Sequence, residues 1–255
     1  MVAPMDARRG VFADFTQATA VLTRIPIGAA ATEPGAIAAA AWAFPLVGAG
    51  VGGIAAIVFF AAELLRLGPI PAALLAVLAG IAVTGALHED GLADTADGFG
   101  GGRDRERKLA IMRDSRQGSY GIIAIAGSIG LRAAAIASAG DPIDAGLALI
   151  AAHAMSRALL PATMRVLAPA REDGLGAMAG RPSIAGAAIS VAMGALISLA
   201  ALGPFRGLVA IAVASAAVAL TVLLAQRQVG GYTGDVLGAF QQIGEIAMLL
   251  VAAAR

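Results

Sequence analysis

The sequence predicts an all-α integral membrane protein: a compact bundle of about seven transmembrane helices rich in Ala and Gly, forming one domain over residues 1–255. Three observations carry this. Hydrophobic residues make up 59% of the chain and charged residues 14%, against about 25% charged in a soluble domain, so polar surface is too scarce to face water all round. Mean hydropathy is +0.83. The apolar residues also fall in blocks of roughly 18 to 25, the length a helix needs to cross a hydrocarbon core. A lipid bilayer is the expected surrounding, and a soluble Ala-rich bundle is the reading this composition disfavours.

Taken in order, residues 10–27 offer Phe12, Phe15, Val21 and Leu22 to one side of a short interfacial or packed helix that Pro26 stops. Spans follow at approximately 36–62, 69–87, 120–139, 144–168, 184–203, 207–225 and 236–254. The first contains Pro45 and the glycines of 48–53, and is expected to bend where neighbouring helices satisfy the freed backbone. Small residues recur at three- and four-residue spacings in every span, which lets helices approach closely. With seven spans, Arg8, Arg9, Arg24, Arg103, Arg105, Arg107, Lys108, Arg113, Arg116, Arg171, Arg181 and Arg227 fall on one side of the membrane. Only Arg66, Arg206 and Arg255 fall on the other. An excess of Lys and Arg marks cytoplasmic loops, so the first side is predicted to be cytoplasmic. It also collects the three unusual segments: the loop 88–119, the Arg171–Arg181 loop and Gly230–Asp235.

Several function classes are excluded. There is no cysteine, hence no disulfide and no Cys-based zinc site. His88 and His153 are too few for a His-rich transition-metal site. A net charge of +1 argues against nucleic-acid binding. The first residues, with Asp6, Arg8, Arg9 and Asp14, lack the apolar core that a cleaved signal peptide would place directly behind the arginines.

The chemistry concentrates after the second span. Glu89, Asp90, Asp94 and Asp97 fall within nine positions. On a helix, Asp90, Asp94 and Asp97 share one face, where like charges would repel unless a hard cation such as Mg²⁺ neutralised them; a solvated acidic face is the plainer alternative. Gly98, Gly100, Gly101 and Gly102 then permit a tight turn whose amides can approach a phosphate. Residues 103–112 read as a surface helix with solvated charges. Arg113, Asp114, Ser115 and Arg116 form a compact polar set in which Arg116 can fork onto phosphate oxygens and Asp114 can join a metal shell. Within the spans, Arg132, Arg157, Arg165 and Glu245 each cost roughly 2.5 kcal/mol or more unless paired or in a wet cavity. Arg157 is the deepest functional candidate, Arg165 is placed to snorkel, and Glu245, near Gln241 and Gln242, is placed to pair with an intramembrane arginine. His153 reads as structural. Asp235 is either an ordinary helix cap or a second acidic contribution to the same site.

Together these segments resemble the cobalamin synthase family, the adenosylcobinamide-GDP ribazoletransferases. The resemblance rests on FTQATAVLTRIPIG at 15–28, FPLVGAGVG at 44–52, TGALHEDGLADTADGFGGG at 84–102, IMRDSRQGSYG at 111–121, SRALLP at 156–161, REDGLGAM at 171–178 and GGYTGDVLGAFQQIGE at 230–245. It implies a multi-pass enzyme of the bacterial inner membrane, with its active site facing the cytoplasm. Its substrates would be adenosylcobinamide-GDP and α-ribazole or α-ribazole 5′-phosphate, and its products adenosylcobalamin or its phosphate plus GMP, with Mg²⁺ as cofactor. A second copy of the chain is a further candidate partner. In that chemistry Glu89, Asp90, Asp94 and Asp97 would hold one or two Mg²⁺. One of these acids, or His88, would accept the proton of the attacking hydroxyl, and Arg116 with Arg157 would clamp phosphate oxygens. Gly98, Gly100, Gly101, Arg113, Ser115 and Asp235 would line the substrate. Two other readings stay open on the residues alone. A CDP-alcohol-type phosphotransferase shares the Asp-x-x-Asp-Gly pattern at Asp94, Asp97 and Gly98, but the chain lacks the Ala-Arg and later acids that follow it. A cation-coupled transporter would explain Pro45 and its glycines as a broken helix, but not an acidic cluster at a membrane edge.

Overall fold

The computed structural model of the protein describes residues 10–27 and 33–254; Arg8, Arg9 and Arg255, counted above for orientation, lie outside them. Among the described residues the regular structure is helical, with no strand. Helix α1 (Val11–Leu22) ends before Pro26, because Thr23 turns extended and closes the last turn, both its N–H and its hydroxyl donating to the Thr19 carbonyl. Helix α2 (Ala36–Ala40), a 3₁₀ turn (Ala41–Ala43) and α3 (Phe44–Leu64) run on as one span. Where a bend was expected at Pro45, the span narrows to that 3₁₀ turn and continues as one crossing. Proline sits in the first turn of α3, where its missing N–H costs no hydrogen bond.

Helix α4 (Pro69–Thr84) follows, then α5 (Leu87–Gly101), bent from it by 91°. The span expected over 69–87 therefore stops at Thr84. Gly85 (φ 67°) and Ala86 (φ 59°) both take the left-handed conformation, which suits glycine but strains alanine, and α5 leaves crosswise. Of this pair α4 is the apolar, crossing part, and α5 carries the acids. The segment read as a loop over 88–119 is thus mostly helix: α5, then α6 (Arg105–Ile111), whose N-cap Asp104 accepts from the Arg107 amide at 2.8 Å. The rest is α7 (Ser119–Ala137), α8 (Pro142–Ala158), α9 (Leu160–Val166), α10 (Gly174–Met178), α11 (Ile184–Leu202), α12 (Pro204–Val229) and α13 (Gly234–Ala253). Among the described residues six stretches are long and apolar enough to cross a membrane, or seven if the bent α4–α5 pair is taken as one span.

Alanine and glycine let these helices touch. A Cβ on Gly52 would lie 2.6 Å from the Leu149 carbonyl oxygen, and one on Gly48 would overlap the His153 carbonyl, so α3 and α8 cross nearly backbone to backbone. At one end of the bundle the polar connections are tied together. The Arg24 amide donates to Val83 at 2.7 Å. Arg105 donates to the carbonyls of Val229 and Ala170, and Lys108 to Gln228. Tyr232 and the Ala168–Ala170 strip exchange backbone hydrogen bonds at 3.0 and 2.7 Å. The connections that carry most of the arginines therefore share one end, as the charge count required.

Candidate active site

Helix α5 turns its acids two ways. Glu89 and Asp97 face inward. The Asp97 carboxylate is buried and accepts from the amides of Gly118 at 2.7 Å and Gly121 at 2.9 Å, capping the N-terminus of α7. A Cβ on either glycine would collide with that carboxylate, which accounts for glycine at both positions. Glu89 is buried and accepts from Arg132 at 2.9 Å and Gln242 at 3.1 Å. Asp90 is exposed and Asp94 half-buried. Asp235 stands beside them, because Gly91 brings α5 so close to α13 that a Cβ there would lie 2.7 Å from the Asp235 carbonyl oxygen.

Asp90, Asp94 and Asp235 thus form one acidic face. Burial first, then the charges of Asp90 and Asp235, push the Asp94 carboxyl up to about 6, against a hydrogen bond from Gln117 at 3.2 Å that favours its ionised form. Asp235 is held by Arg171 at 3.0 Å and by Thr233 at 3.1 Å. The α13 cap is Thr233, which accepts from the Val236 amide at 3.2 Å, so Asp235 is free of that duty. Among the described residues no three acidic or imidazole side chains form a ready metal cage. The four-carboxylate set expected from the sequence is divided: Asp97 is taken by two backbone amides, and Glu89 gives Oε1 to Arg132 and Gln242 with Oε2 buried and unpartnered. What stays on the open face suits Mg²⁺, which commonly takes one or two carboxylates and completes its shell with water and substrate phosphates.

The other expected residues fall in three places. Gly98, Gly100 and Gly101 lie inside α5 and not in a turn; a Cβ on Gly98 would lie 3.0 Å from the Lys108 carbonyl oxygen and one on Gly100 2.8 Å from the Tyr120 ring. The run lets α6 and Tyr120 pack against α5, and its amides are not gathered toward a phosphate. At the solvent edge, Arg113 pairs with Asp173 at 2.7 Å and Arg116 with Asp114 at 2.7 Å, with Ser115 exposed between them. Hydrogen bonds from Arg116 hold Asp114 down at about 2. Arg116 reaches an open cleft of about 260 Å³ bounded by Asp97, Gly118 and Tyr120. Arg157, in contrast, is sealed in the bundle, donating to the His153 carbonyl at 3.1 Å with Glu245 at 3.8 Å. It belongs to an interior network in which Arg132 bridges Glu89 and Glu245 at 2.9 and 3.0 Å. His153 lies 3.1 Å from Glu245, and Gln241 donates to Glu245 at 2.6 Å. Glu245 thus pairs with an intramembrane arginine, and His153 joins the same network. Arg165 reaches the Pro182 carbonyl at 3.2 Å, at the end of its span. His88 is turned off the acidic face into an apolar cavity.

The family model described as cobalamin-5-phosphate synthase matches residues 14–253. The chain belongs to the cobalamin-5-phosphate synthase family. Over 255 residues, all of this chain and 98% of the relative, it is 50% identical to the adenosylcobinamide-GDP ribazoletransferase of Bradyrhizobium diazoefficiens. It is 46% identical to that of Mesorhizobium japonicum, over 96% of this chain and 94% of the relative, and 45% identical to that of Azorhizobium caulinodans, over 94% and 95%. No solved structure matches the chain.

Membership of the cobalamin-5-phosphate synthase family makes the chain a transferase of cobalamin synthesis and removes the CDP-alcohol and transporter readings. Two residues of these contacts were given no such place by the sequence reading. Arg171 was counted for orientation and placed in an unusual loop, but without a partner; it contacts Asp235 and keeps Nη1 buried without a partner. Arg132 was noted as an intramembrane charge, but that it joins two glutamates from different helices is a tertiary fact.

Proposed function

We propose that the chain is an adenosylcobinamide-GDP ribazoletransferase of a bacterial inner membrane, working with Mg²⁺ on the cytoplasmic side. The observation that carries this is 50% identity along the whole chain to a relative of that name. The acidic face at the arginine-rich end of the bundle supports the site and its sidedness.

The reaction joins a hydroxyl of α-ribazole, or of its 5′-phosphate, to the phosphorus attached to cobinamide; the bond from that phosphorus to GMP breaks and GMP leaves. Asp90 and Asp94 would hold the Mg²⁺, which supplies charge neutralisation on the diphosphate. Asp94 fits the part, since the neighbouring carboxylates that resist its ionisation are the arrangement a divalent cation relieves. The hydroxyl proton passes to a carboxylate of the Asp90, Asp94, Asp235 trio. Arg171, already against Asp235 with one unpartnered Nη1, and Arg116 at the mouth of its cleft are the cations placed to meet phosphate oxygens. Glu89 and Asp97 position α5 instead of touching substrate.

The deciding experiment incubates membranes containing the protein with adenosylcobinamide-GDP, α-ribazole and Mg²⁺, with and without chelator. GMP and a cobamide should form in equal amounts and only with the divalent ion. Undiminished product after complete chelation would end the Mg²⁺ assignment; no GMP at all would end the transferase reading.

A further inference from the structure

We propose that the apolar cavity behind α5 binds the flat aromatic base of the incoming nucleoside, with His88 hydrogen-bonding a ring nitrogen of that base. The cavity would then decide which base the enzyme accepts. This rests on the transferase reading above and adds to it a place for the second substrate.

The cavity lies where α1, α3, α5, α9 and α13 meet, and its walls are Phe44, Leu87, Leu160, Met164 and Leu237 with His88. It holds about 100 Å³, less than the about 150 Å³ of a closed apolar cavity that takes up benzene, but it is only partly enclosed, so a ring would enter it by one edge. Its one charged or basic side chain is the informative one. His88 is 3% exposed, and its ring makes no hydrogen bond to any described residue. An imidazole in an apolar wall gains by a hydrogen bond that its own chain does not supply. His88 lines the cavity with apolar side chains, so a base with a nitrogen at its edge would supply both the filling and that hydrogen bond.

Position argues the same way. His88 lies across α5 from Asp90, but Gly234 and Leu237 of the cavity wall flank Asp235 on α13. A Cβ on Gly238 would lie 3.2 Å from the His88 carbonyl oxygen, so the two helices are locked in register here. A base seated in the cavity would therefore direct its ribose toward Asp235, the member of the acidic face whose neighbour Gly234 lines the cavity. Apolar walls alone discriminate weakly between ring sizes, about 10–200-fold per methylene, whereas a site that hydrogen-bonds its substrate rejects an analogue lacking that group by more.

The chain has no cysteine, so Val21→Cys puts a single thiol on the cavity wall. In the full-length protein in phosphatidylcholine vesicles, benzimidazole should slow maleimide labelling of that thiol severalfold, and His88→Leu should abolish the protection. In turnover assays His88→Leu should raise the KM for α-ribazole about tenfold or more, leaving the KM for adenosylcobinamide-GDP within about twofold. GMP release by a protein whose thiol benzimidazole does not protect would overturn the cavity proposal and spare the transferase reading. The cavity proposal falls in the same way if a fatty acid protects and benzimidazole does not, or if both KM values move together. Benzimidazole protection in a protein that releases no GMP would support the cavity and defeat the transferase reading.

Discussion

Asp94 and Asp97 are three residues apart on one helix, and the structure gives them opposite employment. Asp97 is buried against two backbone amides; Asp94 has a glutamine amide and two like-charged neighbours. Of the two, Asp94 is the carboxylate left on the open face for a cation. Asp94→Asn should lower turnover by about 10²–10⁴-fold, if the residue serves ligand or base chemistry, with the protein still inserted and folded; membrane-bound amount and GMP release are the two measurements. The pH dependence has a fixed sign. The folded chain holds the Asp94 proton more tightly than the unfolded one, so its contribution to stability is full below the ordinary carboxylate range and is lost as pH rises through about 6. A bound cation needs the ionised form, so Mg²⁺ affinity should climb across the same interval. Thermal unfolding at pH 5 and pH 7, with and without Mg²⁺, checks both: added Mg²⁺ should raise the midpoint at pH 7 far more than at pH 5. The acidic run and its helix were legible in the sequence, but the single face expected for Asp90, Asp94 and Asp97 was not kept, because Asp97 turns inward onto Gly118 and Gly121. Which carboxylates point outward was not legible, because that is set by α7, α13 and Arg132, all remote in the chain.

At the level of elements, the least legible segment was 98–102. Glycine is a poor helix former, and four glycines in five positions read most simply as a turn. Packing overrides that preference: α6 and Tyr120 lie too close for any side chain, so the glycines are kept and the helix runs through them to Gly101. The same principle governs the join between α5 and α7. Gly121→Ala would push a methyl into the Asp97 carboxylate and break the cap on α7, a destabilisation of about 1–3 kcal/mol by overpacking. Unfolding in detergent should show the loss, and activity should fall with it because α5 shifts; an unchanged midpoint would mean that Asp97 is not what docks these helices. The spans themselves were readable within a few residues, since their length and apolarity are local properties. The exception was 69–87, where the left-handed pair Gly85–Ala86 ends the crossing early.

For the molecule as a whole, charge sets the plan twice. The arginine asymmetry of the loops was enough to gather the functional segments at one end from the chain's composition alone. The interior charges obey another rule: two glutamates and two arginines, with His153, balance one another inside the bundle and link α5, α7, α8 and α13. Removing one member leaves its partners charged and dry. Arg132→Met should cost about 3–5 kcal/mol, the usual penalty for stranding a buried pair, and should loosen α5 without touching the acidic face. Denaturant unfolding of the purified protein measures the first effect. A weaker apparent Mg²⁺ affinity with unchanged pH dependence would report the second.

The corner between α4 and α5 has one more consequence. Helix α4 has 16 residues, about 24 Å at 1.5 Å per residue, whereas a hydrocarbon layer is about 30 Å thick. A helix this short draws the surrounding lipid inward or sinks toward it. Because α5 leaves α4 at a right angle, whatever depth α4 adopts is inherited by the row of aspartates, and the thickness of the host bilayer becomes a property of the active site.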